Sequence, residues 1–258
     1  MSISDDLYNS LNNERVFNII AGPCAIESEE QINKEASFLN SMGIKFLRGG
    51  TFKARTAPES FQGLAADGVR MLSRVGNSFN MHTISEAQDT SQLEILVQHL
   101  DIIQVGARSM HNYALLEAIG RTDKPVILKR GFGSTVTEWI NAANYIHRQG
   151  NSRIIMCERG IRTFSDSSRF TLDLAAVIRV RELTPWPVIV DPSHAAGIKN
   201  MVIPLAMASR AAGADGLMVE VHHDPENAMS DGAQSLNHND FKTLIDRLNL
   251  INDNRQIY

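Results

Sequence analysis

The sequence has few of the features that would direct it to a membrane, a nucleic acid or the outside of the cell. It has no run approaching the roughly 20 apolar residues of a membrane span. Its first residues, MSISDDLYNSLNNERV, are polar and acidic, unlike a signal peptide. The net charge of -4 provides no basic excess for a nucleic acid or an anionic membrane surface. We therefore expect a cytoplasmic protein with neither nucleic-acid nor membrane partners.

Cysteine is also scarce, because the 258 residues include only Cys24 and Cys157. In a reducing compartment two cysteines are expected to be thiols, metal ligands or nucleophiles rather than a structural disulfide. Cys24 directly follows the apolar run VFNIIAG and a Gly-Pro turn, whereas Cys157 lies within the run RIIMCERG. A buried thiol commonly behaves as a small hydrophobe, and we interpret Cys157 in that way.

What the sequence does contain is an alternation of short apolar runs with helical patterns. The runs are rich in Val, Ile, Leu or Phe, which predicts parallel strands covered on both faces. They are VFNIIAG, IKFLRGG, SFNMHTIS, LDIIQVGA, PVILKRG, RIIMCERG, WPVIVDPS and ADGLMVEVHH. The segments between them have an apolar spacing of about 3.6 residues, as in amphipathic helices.

This order predicts an α/β fold, a single (β/α)8 TIM barrel formed by one domain of residues 1–258. An open doubly wound sheet shares the alternating pattern and is the alternative. No linker or low-complexity tract divides the chain. The tail NDNRQIY is predicted to be a short flexible end.

Basic side chains follow several of these strands. In a barrel the carboxyl ends of the strands meet on one face, where active sites are built, so we expect these side chains to converge. They are Arg48, Lys53, Arg55, Arg108, Lys129 and Arg159. A convergent cluster of cations is costly unless an anion neutralises it, and arginine suits phosphate or carboxylate. Scattered solvated charges or structural ion pairs are the alternative interpretation.

Potential metal ligands follow the strands on three separate loops. They are Cys24, His194, Glu220 and Asp231. A thiolate with an imidazole and carboxylates would suit Zn, Fe, Mn or Co. The residues alone leave open that Cys24 is a buried structural thiol. His222 and His223 also follow the eighth strand, where one of them could support a ligand.

Seven motifs resemble one enzyme family in their order along the chain. They are AGPCAIES, RGGTFKARTAP with FQGL, QVGARSM, VILKRG, MCERGIRTF, VDPSHAAG and MVEVHHDPENAMSDGAQSL. They are similar to the type I-beta 3-deoxy-D-arabino-heptulosonate 7-phosphate (DAHP) synthases, a branch close to the 3-deoxy-D-manno-octulosonate 8-phosphate synthases. The resemblance covers nearly the whole chain, from about Phe17 to Leu236.

The resemblance implies a reaction and a set of roles. Phosphoenolpyruvate, erythrose 4-phosphate and water would give DAHP and phosphate, the first step of the shikimate pathway. One divalent metal ion, Mn, Fe, Co or Zn, would be held by Cys24, His194, Glu220 and Asp231. The residues expected to bind phosphoenolpyruvate are Arg48, Lys53, Arg108, Lys129, Arg159 and His194.

Further roles are implied in the same way. Arg55 and Thr56 resemble the pair that receives erythrose 4-phosphate. The candidate catalytic residues are Lys53, His194 and Cys24, and either Lys53 or a metal-bound water would donate a proton to the forming alkoxide. The resemblance also implies a homodimer or homotetramer. We also expect a single catalytic domain without the fused regulatory or chorismate mutase domain that many relatives carry.

Three departures from the family pattern bear on these roles. The usual KPRTSP reads KARTAP at residues 53–58, and the usual EVHPDP reads EVHHDP. The third strand, SFNMHTIS, lacks the acidic residue common after it, with Thr83 and Ser85 in its place.

Three other functions are the alternatives to a DAHP synthase. They are an octulosonate 8-phosphate synthase using arabinose 5-phosphate, a Schiff-base aldolase with Lys53 or Lys129, and a non-catalytic sugar-phosphate-binding barrel. The KxRT motif argues against the first of these.

Overall fold

The structure, a computed structural model, describes residues 8–9, 12–13, 15–53, 59–251 and 255–257. The expectations for Arg55 and Thr56 therefore lie outside the described residues. Eight strands form the centre of the molecule. They are β1 (Val16–Gly22), β2 (Phe46–Arg48), β3 (His82–Ala87), β4 (Ile102–Val105), β5 (Val126–Lys129), β6 (Ile154–Glu158), β7 (Val188–Val190) and β8 (Gly216–Glu220).

The sheet closes on itself. Each strand pairs in parallel with the next along the chain. β1 pairs with β8 from Asn18↔Gly216 to Gly22↔Glu220, and also with β2 at Ile20↔Phe46. A strand with partners on both sides at the point of closure leaves no open edge there. The prediction of a (β/α)8 barrel is thus confirmed, and the open doubly wound sheet is excluded.

Helices lie between the strands in the described part of the chain. They are α1 (Glu29–Ser41), α2 (Ala65–Phe79), α3 (Leu93–His99), α4 (Tyr113–Gly120), α5 (Val136–Arg148), α6 (Leu174–Leu183), α7 (Pro192–Ala196), α8 (Lys199–Ala211) and α9 (His238–Asn249). The alternation predicts a helix after each strand, but it does not locate α3, because a helix of 7 residues with only Leu93 and Leu96 buried shows little periodicity. None of the described helices combines the length and apolarity needed to cross a bilayer.

Two apolar layers hold the barrel together. One lies between strands and helices and includes Phe17, Leu47 and Trp139. The other fills the barrel itself. Its members are Ile20, Phe46, Ile84, Ile102, Ile127, Ile155, Cys157, Ile189 and Met218. Cys157 is therefore a core thiol, as predicted, and burial raises its pKa.

This inner layer determines which side chains reach the mouth of the barrel. Successive side chains of a strand point to opposite faces, so the residue two positions beyond an interior side chain points inward again. At the carboxyl ends of the strands this rule selects polar residues. They are Arg48, Glu86, Gln104, Lys129, Arg159, Asp191 and Glu220.

Two residues of the C-terminal tail, Gln256 and Ile257, join the sheet. A ninth strand, β9 (Gln256–Ile257), pairs in parallel with Val16 and Phe17. The guanidinium of Arg255 lies 5.0 Å from the Phe17 ring, and its Nη1 donates to the Ala214 carbonyl at 2.6 Å. The prediction of a flexible end is wrong for these residues. The contacts that order them join positions far apart in the sequence, which a local pattern cannot show.

The contribution of the outer apolar layer to stability can be tested at Trp139 on α5. Its side chain is fully buried and Nε1 donates to the Leu128 carbonyl at 3.1 Å, next to Lys129. Trp139→Ala should lower the free energy of unfolding by about 3–5 kcal/mol, because it leaves a large cavity. Tyr145→Ala, on the exposed side of the same helix, should cost about 1 kcal/mol. Denaturant titration of both variants checks the expectation, and equal losses would contradict it.

Candidate active site

A cavity opens at the carboxyl ends of the strands, on the face where the mouth residues meet. Its wall carries more positive than negative side chains. Among the described residues the basic ones are Arg48, Lys53, Arg108, Arg159 and Arg169, and the carboxylates are Glu86 and Asp231. The excess of cations in a chain of net charge -4 indicates a site for an anion.

Arg159 is the clearest sign of that anion. Its side chain is 4% exposed, and its guanidinium lies 4.2 Å from the Phe170 ring and 4.8 Å from the Phe132 ring. Its hydrogen bonds go to the carbonyls of Gly160 and His194 at 3.4 Å, and no described carboxylate forms an ion pair with it. Burial lowers its pKa. A buried cation with this surrounding requires a negative partner.

Arg108 reaches the same part of the cavity from the loop after β4. Its guanidinium lies 5.4 Å from the ring of Phe132, which also contacts Arg159. Phe132 in turn stacks on Phe170 at 5.0 Å. The aromatic rings hold two guanidinium groups on one wall without neutralising them. This arrangement suits an anion with several oxygens, such as phosphate.

Two of the predicted cations already have carboxylate partners. Arg48 Nη1 lies 3.1 Å from Glu220 Oε1 and donates to the Pro23 carbonyl at 2.8 Å. Lys129 Nζ lies 2.6 Å from Asp191 Oδ2, and Lys129 is not among the residues that line the cavity. These two cations therefore hold the carboxylates Glu220 and Asp191 in place, and part of their positive charge is already neutralised.

The four predicted metal ligands meet at the base of the cavity. One donor atom from each of Cys24, His194, Glu220 and Asp231 lies within 4.8 Å of all the others. Cys24 Sγ donates to Asp231 Oδ2 at 3.0 Å, and His194 Nε2 lies 3.3 Å from Glu220 Oε1. Sulfur, imidazole nitrogen and two carboxylates are the donors that Zn, Fe, Mn and Co accept. The group fits a divalent metal ion.

Asp191 orients the imidazole of this group. His194 Nδ1 lies 2.7 Å from Asp191 Oδ2, although the N–H direction is not aligned for a good hydrogen bond. A carboxylate can only accept a hydrogen bond, so a proton on Nδ1 suits this contact and leaves Nε2 for the ligand group. Burial alone would raise the pKa of Asp191, but His194 and Lys129 hold it well below its usual value.

The loop after β8 supplies Asp231 in an unusual backbone conformation. Its φ of 53° is left-handed, which few residues other than glycine adopt. Burial would raise the pKa of Asp231, but the Cys24 hydrogen bond, His194 and Lys53 lower it to about 2. The neighbouring Ser230 Oγ donates to Cys24 Sγ at 3.1 Å, and Gln234 Nε2 donates to Glu220 Oε2 at 2.6 Å.

Cys24 and Lys53 form the contact between the ligand group and the cavity wall. Lys53 Nζ lies 3.0 Å from Cys24 Sγ and 3.1 Å from the Cys24 carbonyl. Burial, reinforced by Glu220, raises the pKa of the Cys24 thiol to about 12. Burial alone would lower the pKa of Lys53, but Cys24 and Glu220 raise it. A Schiff-base lysine needs a depressed pKa, so this environment argues against that alternative for Lys53.

The raised pKa of Cys24 predicts how metal binding depends on pH. Because the thiol is protonated at neutral pH and a metal binds the thiolate, binding must release one proton. The association constant for Co²⁺ should therefore rise about tenfold per pH unit between about pH 6 and pH 8. Chelator competition at several pH values measures this slope. Cys24→Ser should remove it, and an unchanged slope in that variant would contradict the expectation.

Glu86 and Arg169 belong to the site but were not predicted from the sequence. Glu86 lies within β3, lines the cavity and accepts from Gln104 Nε2 at 2.7 Å. The statement that this strand lacks its acidic residue was wrong, because the strand continues beyond Ser85 to Ala87. The signal was available, since Glu86 stands two positions beyond the interior Ile84. Arg169 lines the cavity from a loop that no periodic pattern marks.

These features define the protein as a (β/α)8-barrel enzyme with an anion site and a metal-ligand group at the carboxyl ends of its strands. Residues 10–254 match the DAHP synthetase I family, and the chain belongs to this family. The resemblance stated from the motifs is thereby confirmed.

Individual relatives agree with this assignment. The chain is 46% identical to the phospho-2-dehydro-3-deoxyheptonate aldolase of Thermotoga maritima, over 92% of this chain and 70% of that protein. It superimposes with a TM-score of 0.91 on a crystal structure of the DAHP synthase of T. maritima, covering 95% of this chain and 72% of that one. A 2-dehydro-3-deoxyphosphooctonate aldolase of Syntrophotalea carbinolica is 33% identical, over 84% of each chain. The chain is thus more similar in sequence to this heptonate aldolase than to this octonate aldolase.

Proposed function

We propose that the protein joins phosphoenolpyruvate to erythrose 4-phosphate and water, giving DAHP and phosphate. The observation that carries the proposal is the buried Arg159, which has no carboxylate partner among the described residues and lies at the mouth of a barrel whose base groups four metal ligands. The family and the 46% identity to a T. maritima heptonate aldolase support this reaction over the octulosonate one. The bound metal would be Mn, Fe, Co or Zn.

Phosphoenolpyruvate fits the positive wall of the cavity. The molecule carries a phosphate and a carboxylate, and Arg159 and Arg108 offer two guanidinium groups beside the Phe132 ring. Arg48 and Lys53 line the cavity and add positive charge there, while Lys129, paired with Asp191 behind the lining, would contribute from a greater distance. Bidentate bonds from arginine would fix the orientation of both anionic groups and leave C3 free to react.

The reaction needs an electrophilic aldehyde at the other end of the cavity. When bound by Cys24, His194, Glu220 and Asp231, the metal would supply Lewis-acid polarisation of the aldehyde carbonyl. C3 of phosphoenolpyruvate attacks the carbonyl carbon, and a C–C bond forms. The carbonyl oxygen gains negative charge. Lys53, whose raised pKa keeps it protonated, donates a proton to this oxygen.

The second half of the reaction removes phosphate. Water adds to C2 of the former phosphoenolpyruvate, which has become electron-poor, and releases one proton, which balances the proton donated by Lys53. The C–O bond to phosphate then breaks with its electron pair on phosphate, and the new hydroxyl passes its proton to the departing phosphate as the ketone of the product forms. Arg159 and Arg108 would stabilise the charge on the departing phosphate. Arg159 is buried and held between aromatic rings, so it needs no rearrangement at that moment, whereas Arg108 reaches the phosphate from the exposed rim.

The proposal also covers the location of the protein in the cell, its partners and its oligomeric state. We propose a cytoplasmic enzyme that acts on small molecules, without a nucleic-acid or membrane partner. We also propose a homodimer or homotetramer, which sedimentation equilibrium would test.

The substrate assignment is tested by following consumption of phosphoenolpyruvate with two sugars in parallel. Erythrose 4-phosphate should support turnover and yield DAHP and phosphate in equal amounts. Arabinose 5-phosphate, offered to the same preparation, should support little turnover. Preferred turnover with the five-carbon sugar would instead assign the octulosonate reaction. Binding of phosphoenolpyruvate without turnover on either sugar would favour the non-catalytic alternative.

A further inference from the structure

A carboxylate outside the cavity has contacts that none of the roles above explains. Glu35 lies in the middle of α1 and is completely buried. Its Oε1 accepts from His223 Nδ1 at 2.9 Å and also from the His223 backbone N–H. Its Oε2 lies 3.0 Å from His238 Nε2. Both oxygens of one buried carboxylate are thus used to hold two histidines.

The two histidines stand at opposite ends of one loop. The loop joins β8 to α9, and His223 lies near its start while His238 begins α9. Backbone bonds close the loop at its base, from Leu236 N–H to the Glu220 carbonyl at 2.9 Å and from His222 N–H to the Leu236 carbonyl at 3.0 Å. Glu35 therefore ties both ends of this closed loop to α1.

The loop carries part of the ligand group. Asp231 and Ser230 both lie on it and contact Cys24 Sγ, which belongs to the segment between β1 and α1. A second tie joins the same two segments, because Met229 N–H donates to Glu27 Oε1 at 2.8 Å. The distance from Cys24 to Asp231 thus depends on how the loop is held against α1 and the segment before it.

The chemistry of the contact suits positioning. Burying a carboxylate costs free energy unless hydrogen bonds compensate it, and apolar side chains would join a helix and a loop at lower cost. Unlike apolar contacts, the carboxylate fixes the orientation of the two imidazole rings, because each ring must present a nitrogen to one oxygen. The His238 ring is also stacked on Phe38, one turn after Glu35, with centroids 3.7 Å apart. These contacts leave the ends of the loop little freedom.

We propose that Glu35 is a positioning residue that holds the β8–α9 loop, and with it Asp231, in the place required for metal binding. The proposal rests on the proposed function, since it treats the four-ligand group as a metal site. Residues that orient metal ligands commonly change metal affinity by about 10–100-fold when replaced. Glu35 acts through the loop rather than on a ligand, so an effect at the low end of this range is expected.

The test is the affinity of the metal-free protein for Co²⁺, measured from the thiolate-to-cobalt absorption band that Cys24 would produce. Glu35→Gln keeps the shape of the side chain but offers one acceptor oxygen instead of two. It should weaken Co²⁺ binding about tenfold. Asp215→Asn is the matched control, because Asp215 also accepts from a backbone N–H, that of Val188, and from Arg181, at the opposite end of the barrel. It should lower thermal stability but leave Co²⁺ affinity unchanged.

A second variant covers the case in which Glu35→Gln fails to fold. His238→Phe preserves the ring stacked on Phe38 and removes only one bond to Glu35. It should weaken Co²⁺ binding about threefold to tenfold. Affinities within about twofold of the parent in the folded variants would overturn the positioning role. A parent protein without the thiolate band would instead contradict the proposed metal site, so the two failures are distinguishable.

Discussion

Cys24→Ser should lower kcat at least about a thousandfold and abolish tight metal binding. The thiolate is the one soft donor of the group, and a serine hydroxyl does not ionise at neutral pH to replace it. Cys24 is 1% exposed and serine is nearly the same size, so the barrel should remain folded. Steady-state kinetics and metal content of the purified variant measure both effects.

The other cysteine provides the control for this variant. Cys157→Ala also removes a buried thiol, but Cys157 lies in the apolar layer inside the barrel. It should lower stability moderately and leave metal content and kcat close to the parent values. A Cys24→Ser variant that keeps its metal and more than about a tenth of the activity would contradict the ligand role of Cys24.

Lys53→Met should lower kcat about a thousandfold, within the range of roughly 10²–10⁴ expected for the loss of a general acid. The ammonium lies 3.0 Å from Cys24 Sγ, next to the position expected for the aldehyde oxygen. Its raised pKa means that the parent residue stays protonated at neutral pH. The methionine has a similar length and is uncharged. Single-turnover measurements of the condensation step test the expectation directly.

A lysine beside a metal site could act through its charge alone, and Lys53→Arg separates the two roles. Arginine keeps the charge but is a much weaker proton donor, because its pKa is above about 12. If Lys53 transfers a proton, Lys53→Arg should remain slow while retaining the affinity for phosphoenolpyruvate. Near-parental activity of the arginine variant would assign Lys53 a purely electrostatic role.

Most of the fold was predictable from the sequence. Buried parallel strands appear as continuous apolar runs, and eight of these runs became the strands of the closed barrel. The short helix α3 and the strand β9 were not predictable in the same way. α3 buries too few residues to show a period, and β9 is held by Arg255 at Phe17 and Ala214, distant in the chain.

The site was predictable where the strand pattern places side chains. Arg48, Lys129 and Glu220 each stand two positions beyond an interior residue, and their convergence follows from closure of the sheet. The same rule, applied to the third strand, would have found Glu86. Loop residues such as Ser230 obey no such rule. The contact of Ser230 with Cys24 depends on a loop whose path is set by long-range bonds.

The pairing of charges also required the structure. The sequence showed a surplus of cations after the strands but not which of them are neutralised. Arg48 is held by Glu220 and Lys129 by Asp191, whereas Arg159 forms no ion pair with a carboxylate in the described part of the chain and contacts carbonyls and aromatic rings. This difference is the reason for proposing Arg159 as the centre of an anion site.

The most direct test of the account is metal removal and re-addition with both proposed substrates present. Chelated protein should not consume phosphoenolpyruvate with erythrose 4-phosphate, and addition of Mn²⁺, Co²⁺ or Zn²⁺ should restore formation of DAHP at one metal ion per chain. Full turnover by protein shown to be free of metal would contradict the account. So would restored metal content without any DAHP.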